Sequence, residues 1–173
     1  MLAGPAMKQI TIVHDVHCDP DRFWRLFFEP AYNAALYRDA LKIADFTVLD
    51  HGETAEEIRR TITGRPTLEL PAAARRFVGD RLTFTESGRF DRRAQTWRFD
   101  FTTSAFGDKV RTAGTIRLEP AGEQRVRRIG ECTLEARVFG VGGLIESTME
   151  TSMRDTWAAG ARFTNAWLAR EGA

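Results

Sequence analysis

Hydrophobic and polar positions alternate with a period of two over several stretches, the first of them near the start of the chain. Between Met7 and Val16, Ile10, Ile12, His14 and Val16 hold one phase and Gln9, Thr11 and Asp15 the other, which predicts a half-buried strand. The spacing then changes. Asp19 supplies an N-cap oxygen, Pro20 suits the first helical position, and Phe23, Leu26 and Phe27 recur at three and four residues. Pro30 opens a second short helix carrying Tyr32, Leu36 and Tyr37 to about Leu41.

The next stretch reads as antiparallel sheet. Phe46 to Asp50 and Ile58 to Thr63 form two strands joined near Gly52. Arg65 to Gly79, with Pro66 and Pro71, reads as a crossing loop with a helical turn at Ala72 to Phe77. Three clean alternations follow. Leu82, Phe84, Glu86 and Phe90 share a face; so do Trp97, Phe99 and Phe101; so do Val110, Thr112, Gly114, Ile116 and Leu118. The opposite phases hold Arg98, Asp100, Lys109, Arg111, Arg117 and Glu119, so one side of the sheet is wet. In the last strand Val126, Cys132, Leu134, Ala136 and Val138 alternate with Arg127, Glu131, Glu135 and Arg137, up to Gly140.

From Val141 to about Ala169 the period becomes helical. Ile145, Met149, Met153, Trp157, Phe163 and Trp167 form a stripe, with Glu146, Glu150, Arg154 and Arg162 on the other side. Such a helix is about 40 Å long and must lie along the sheet. Gly160 inside the stripe predicts a kink or a close backbone approach.

Composition narrows the classes. At 173 residues, against ~150 per domain, one domain over residues 1–173 is expected. The chain is 43% apolar and 28% charged, globular proportions that exclude disorder. Its 25 Lys plus Arg against 24 Asp plus Glu leave +1, so no nucleic acid partner is expected. The doublets Arg59-Arg60, Arg75-Arg76, Arg92-Arg93 and Arg127-Arg128 do not change this, because strand neighbours face opposite ways. No integral membrane segment or secretory signal is visible, so a cytoplasmic location is expected, with transient membrane contact left open. Cys18 and Cys132 read as reduced thiols, and neither they nor His14, Asp15 and His17 have zinc-type spacing. No metal or cofactor is expected. The run Gly140, Gly142, Gly143 reads as a strand-to-helix turn, and G-x-S-x-G and dinucleotide fingerprints are missing.

The order strand, helix, helix, six strands, long helix resembles the START-like, birch-pollen-allergen-like (SRPBCC) superfamily of polyketide cyclases and lipid-transport domains, within an uncharacterised bacterial branch. Carrying the likeness are HCDPDRFWRLFFEPAYNAALY (His17 to Tyr37), LTFTESGRFD, QTWRFDFTTS and the closing segment RVFGVGGLIESTMETSMRDTWAAGARFTNAWLAR. The resemblance covers nearly the whole chain. It implies an α+β helix-grip fold, a curved seven-stranded antiparallel sheet wrapped around the C-terminal helix with two short helices after the first strand. It also implies a cavity between sheet and helix that holds a lipid or other hydrophobic small molecule. Phe84, Trp97, Phe99 and Phe101 would then oppose Met149, Met153 and Trp157 across that cavity. Arg65 to Gly79 and the two short helices would serve as a lid.

Glu86, Arg128, Arg60 and His14 break the inward dry phase. An ionised group there must be paired or wet. The expectation is that Glu86 pairs with Arg128 or Arg60 and anchors a ligand's polar end; a purely structural bridge, or wet strand ends, is the other reading. A non-enzymatic binding domain is the first functional expectation. An aromatase/cyclase-like enzyme using His14 or Glu86 is the second, and a co-chaperone-like interaction domain using the outer sheet face is the third.

Overall fold

The computed structural model describes residues 7–66, 72–75 and 82–172. Strand β1 (Lys8–Val16) leads through Asp19 into helix α1 (Pro20–Phe28). The Asp19 carboxylate accepts from the Arg22 N–H at 2.8 Å, the N-cap bond expected of that position. Helix α2 (Pro30–Ala35) follows, and here the chain departs from a simple helix to Leu41. It widens into a π-helical turn over Leu36–Ala40, where the Leu41 N–H reaches back five residues to the Leu36 carbonyl at 3.0 Å.

Six strands complete an antiparallel sheet: β2 (Ala44–Glu53), β3 (Glu57–Arg65), β4 (Phe84–Asp91), β5 (Thr96–Thr103), β6 (Val110–Pro120) and β7 (Val126–Ala136). Their spatial order is β1-β7-β6-β5-β4-β3-β2, leaving β1 and β2 as the margins. The β2–β3 turn is not at Gly52, which pairs with Arg59 inside the ladder. Thr54 makes the turn instead, its hydroxyl accepting from the N–H groups of Glu56 and Glu57 at 3.2 and 3.1 Å. Helix α3 (Ala72–Arg75) accounts for the described part of the helical turn expected at Ala72 to Phe77; the rest of that turn, and most of the Arg65 to Gly79 loop, lies outside the described residues. Strand β4 starts at Phe84 rather than Leu82, and β7 stops at Ala136, two residues short of Val138, because the Glu146 carboxylate accepts the Ala136 N–H at 2.9 Å.

Helix α4 (Gly142–Glu171) runs unbroken through Gly160. The expected kink is not there. The nearest neighbour to a side chain at Gly160 would be Leu36 Cδ1 at 3.9 Å, an ordinary contact with the π-helical turn. The helix lies across β1 and β7 and against that turn. Its side chains finish the β1 margin: Arg154 Nη1 donates to the Thr11 carbonyl at 3.1 Å, and Asn165 Nδ2 donates to the Asp15 carbonyl at 3.1 Å. Lys8 and Arg154 both pair with Glu150, at 2.6 and 2.9 Å.

One face of the sheet carries the core. Ile10, Ile12, Val16, Ile58, Phe90, Trp97, Phe99, Ile116, Val126, Cys132 and Leu134 are buried in one cluster with Phe23 and Trp24 of α1. All stand in the phase read as dry. The helix-grip architecture is the one the resemblance implied.

Candidate functional site

Strand register sorts the inward residues into rows that cross the sheet. One row runs Ile62, Glu86, Phe101, Thr112, Leu134; the next runs Arg60, Gly88, Phe99, Gly114, Cys132, Ile10; two rows further lie Leu118, Arg128 and His14. Glu86 shares a row with Leu134, and Arg128 is six residues beyond it on a strand three places away. At ~3.3 Å per residue and ~4.8 Å per strand, that is about 20 Å along and ~14 Å across the sheet. The two do not pair.

Arg60 does not pair with Glu86 either, although each lies in the other's field. Its guanidinium turns toward α1, where Nη1 donates to the Phe27 carbonyl at 2.9 Å and, at 3.5 Å, to Asn33 Oδ1. It sits 4.8, 5.4 and 5.3 Å from the ring centroids of Phe27, Phe28 and Trp97. Three aromatic faces and a carbonyl thus solvate a side chain only 5% exposed. Trp97 belongs to this packing and not to a wall facing α4. It is 1% exposed, its ring contacts Phe27 and Phe28, and it lies over Gly88, where a Cβ would meet it at 2.0 Å.

Of the aromatic residues expected to oppose α4, Phe99 does so, 6.3 Å from Trp157 between ring centroids. Phe84 and Phe101 stack on each other at 5.1 Å. Met149, Met153 and Trp157 pack against the core on one side of α4 while keeping part of their surface accessible.

Glu86 stands in the inward phase of β4 and keeps accessible surface, and its carboxylate makes no hydrogen bond or ion pair among the described residues. Burial holds its carboxyl above the usual carboxylate range, against the opposing field of Arg60. Tyr37, a helix-stripe residue in the sequence, is likewise part-accessible and lies within the field of both Glu86 and Arg60. Burial pushes its phenol up, and its ring stacks on Phe46 at 4.0 Å.

Arg128 is a third group of this kind. Nη2 donates to the Trp157 carbonyl at 3.0 Å and lies 3.1 Å from His14 Nδ1, and the guanidinium sits 5.2 Å from the centroid of the Trp157 ring. Nε is buried without an acceptor. Desolvation brings the guanidinium down to about 10, and Tyr32 is the neighbour that works against this. His14 is lowered by burial, then by Arg128 and Arg162. Tyr32 in turn bonds the Thr164 hydroxyl of α4 at 2.6 Å.

The described residues hold no cluster of three metal-ligating side chains, and none of their helices is long and apolar enough to cross a membrane. Among the described residues, two of the clefts that open to the surface are substantial. One, of about 920 Å³, is lined mainly by the outward phase, with Arg59, Arg89, Arg98, Asp100 and Glu131 among its walls. The other, of about 750 Å³, lies between α1, α2 and strands β2 to β4, and reaches Arg60 past Trp24, Phe28 and Phe46.

This architecture is the helix-grip fold, and solved structures share it. Among solved structures, the Zhui aromatase/cyclase from Streptomyces sp. R1128 matches with a TM-score of 0.70 at 12% identity, over 97% of each chain. Norcoclaurine synthase from Thalictrum flavum, in complex with dopamine and hydroxybenzaldehyde, matches at 0.63 and 17% identity, over 98% of this chain and 95% of that one. Major latex-like protein 151 from Panax ginseng matches at 0.61 and 13%, over 92% and 96%. At such identities the likeness is one of fold. No curated protein matches the sequence. The chain belongs to the family described as a protein of unknown function, DUF2505, whose model matches residues 11–168.

Proposed function

We propose that the chain binds a lipid or other hydrophobic small molecule in an interior space between the sheet and α4. One observation carries the reading: Glu86 and Arg128 stand in the inward phase of the sheet, with Tyr37 in the field of Glu86, yet each of the three retains accessible surface. A filled core leaves no such surface on its innermost polar groups. Phe101, Met149, Met153 and Trp157, all part-accessible, supply apolar wall, and methionine adapts to varied shapes. Apolar burial at ~25 cal/mol per Å² would supply affinity, and a polar contact orientation. The 750 Å³ cleft beside Arg60 is the entry route in this reading. Contact with a membrane during loading would use the turn before α4, where Phe139 is fully exposed beside Arg137.

Native mass spectrometry of gently purified protein, with extraction of whatever co-purifies, tests this. A bound hydrophobic molecule, or uptake from a lipid and sterol panel, is the expected result. A clean apo mass with no uptake overturns it.

One observation favours a second reading, an aromatase/cyclase-like enzyme. Burial holds the Glu86 carboxyl above the usual carboxylate range, and it lies in the field of Tyr37, as a proton donor would. Turnover of a polyketide-type substrate that depends on pH and disappears in Glu86→Gln would decide for it.

A further inference from the structure

We propose that Arg128 is the head-group anchor of this interior, and that the ligand it selects is an amphiphile ending in a carboxylate. The inference rests on the carrier reading above and adds the chemistry of the polar end.

The argument begins with what surrounds the guanidinium. Its row neighbours are Leu118 on β6 and His14 on β1; Tyr32 of α2 and the Trp157 carbonyl of α4 complete the set. Arg162 of α4 adds a second positive charge near His14. No acid among the described residues forms an ion pair with Arg128. Asp15, next to His14 on β1, stands in the outward phase and pairs with Arg127 at 3.3 Å, and Glu131 on β7 is outward as well. Burial of an uncompensated guanidinium is among the least favourable arrangements a core can hold, and arginine does not escape by losing its proton.

The donors are unevenly used. Nη2 serves both the Trp157 carbonyl and His14, Nε has no acceptor, and Nη1 makes no hydrogen bond among the described residues. The side chain is part-accessible while Nε is closed to solvent, so Nη1 is the donor left open to a ligand. An anion there would satisfy donors and charge together.

The class of anion follows from charge and shape. Arg128 is the inward guanidinium, Arg162 being exposed, and a dianionic phosphate would bring a second charge inside with no inward partner. A carboxylate matches it. The apolar remainder of the molecule then runs past the Trp157 ring, which lies over Arg128 on one side and within 6.3 Å of Phe99 on the other. Glu86 lies about 20 Å further along the sheet, well away from this head-group position.

The test compares tetradecanoate, its methyl ester and tetradecanol, which share a chain and differ in charge, by displacement of a neutral fluorescent probe. The expected result is tetradecanoate bound about tenfold to a hundredfold more tightly than the ester or the alcohol. Arg128→Met should remove that preference and leave ester binding unchanged, and Arg128→Lys should keep part of it. Equal binding of acid and ester by the unaltered protein overturns the head-group assignment while the carrier reading stands, and needs no variant that folds. A parallel loss of all three ligands in Arg128→Met overturns it as well. If none of the three binds the unaltered protein, the carrier reading falls and this inference with it.

Discussion

A Cβ placed on Gly130 would lie 1.9 Å from Cζ3 of Trp157 and 2.4 Å from Cη2, so the indole of α4 occupies the space where a side chain on β7 would stand. This contact sets how closely the helix approaches the sheet. Gly130→Ala should push Trp157 outward and destabilise the fold by about 1–3 kcal/mol through overpacking. Thermal unfolding should show a Tm lower by about 2–4 °C per kcal/mol, together with altered tryptophan emission. An unchanged Tm and spectrum would mean that the helix sits further from the sheet than described.

The Thr164 hydroxyl has one proton, and it goes to the Gly160 carbonyl at 2.7 Å, so Tyr32 must be the donor in the 2.6 Å bond between the two side chains. Thr164→Val therefore strands a buried phenolic O–H, at a cost of about 1–3 kcal/mol. Tyr32→Phe leaves Thr164 satisfied and should cost only about 0.5–1.5 kcal/mol. The double variant should recover part of the Thr164→Val loss, measured by urea unfolding. Strict additivity would break the assignment of donor and acceptor.

Glu86 takes its proton more readily in the folded protein than in the unfolded chain. The stabilisation linked to it is thus fully present below the unfolded value of 4.5 and is lost as pH rises through the higher folded value. Glu86→Gln mimics the protonated form. Its Tm should exceed that of the parent at pH 7, and the gap should close near pH 4. A variant less stable than the parent at both pH values would show that the carboxylate is ionised and held by a partner.

His14 behaves in the opposite sense. Its folded value is lowered, so its contribution is present above the unfolded value of 6.5 and is lost as pH falls below it. His14→Gln should flatten stability between pH 7 and pH 5 relative to the parent. Equal slopes in both proteins would remove His14 as a source of acid sensitivity.

Both thiols are 4% exposed, and burial pushes Cys18 up to about 11 and Cys132 to about 12. Thiolate, the reactive form, is therefore scarce at neutral pH. Native protein should react with a thiol reagent at pH 7 only as fast as it unfolds, and two equivalents should appear at once in denaturant. Rapid labelling of one thiol in native protein would place that cysteine at the surface.

Much of the architecture was legible because β4 to β7 each have one wet face, which imprints a period of two that neighbours such as Glu131 and Cys132 make plain. The Thr54 turn was missed because Gly52 is the louder turn signal, whereas a threonine hydroxyl that accepts two backbone N–H groups leaves no mark in a pattern of hydropathy. The π-helical turn after Ala35 escaped for a similar reason: one extra residue per turn barely disturbs the spacing of Tyr32, Leu36 and Tyr37. At the candidate site, phase identified Glu86, Arg60 and Arg128 as inward but said nothing about rows. Their partners depended on register, which placed Arg128 out of reach of Glu86 and left Arg60 to the aromatic rings of α1. Tyr37 was overlooked because its neighbourhood with Glu86 joins a helix to a strand across a fold that spacing alone does not close.

The two margins of the sheet differ in how they greet a stray polypeptide. Along β1, carbonyls of Thr11 and Asp15 are already engaged by Arg154 and Asn165, so a foreign chain would have to displace the helix to add itself there. Along β2, the register slips between Ala44 and Thr47 and again between Val48 and Asp50, which spoils a straight template, but Val48 and Leu49 remain uncovered at 46% and 59% exposure. Any tendency of this protein to polymerise through its rim therefore begins at β2, and a charged residue in place of Leu49 is the change that would suppress it.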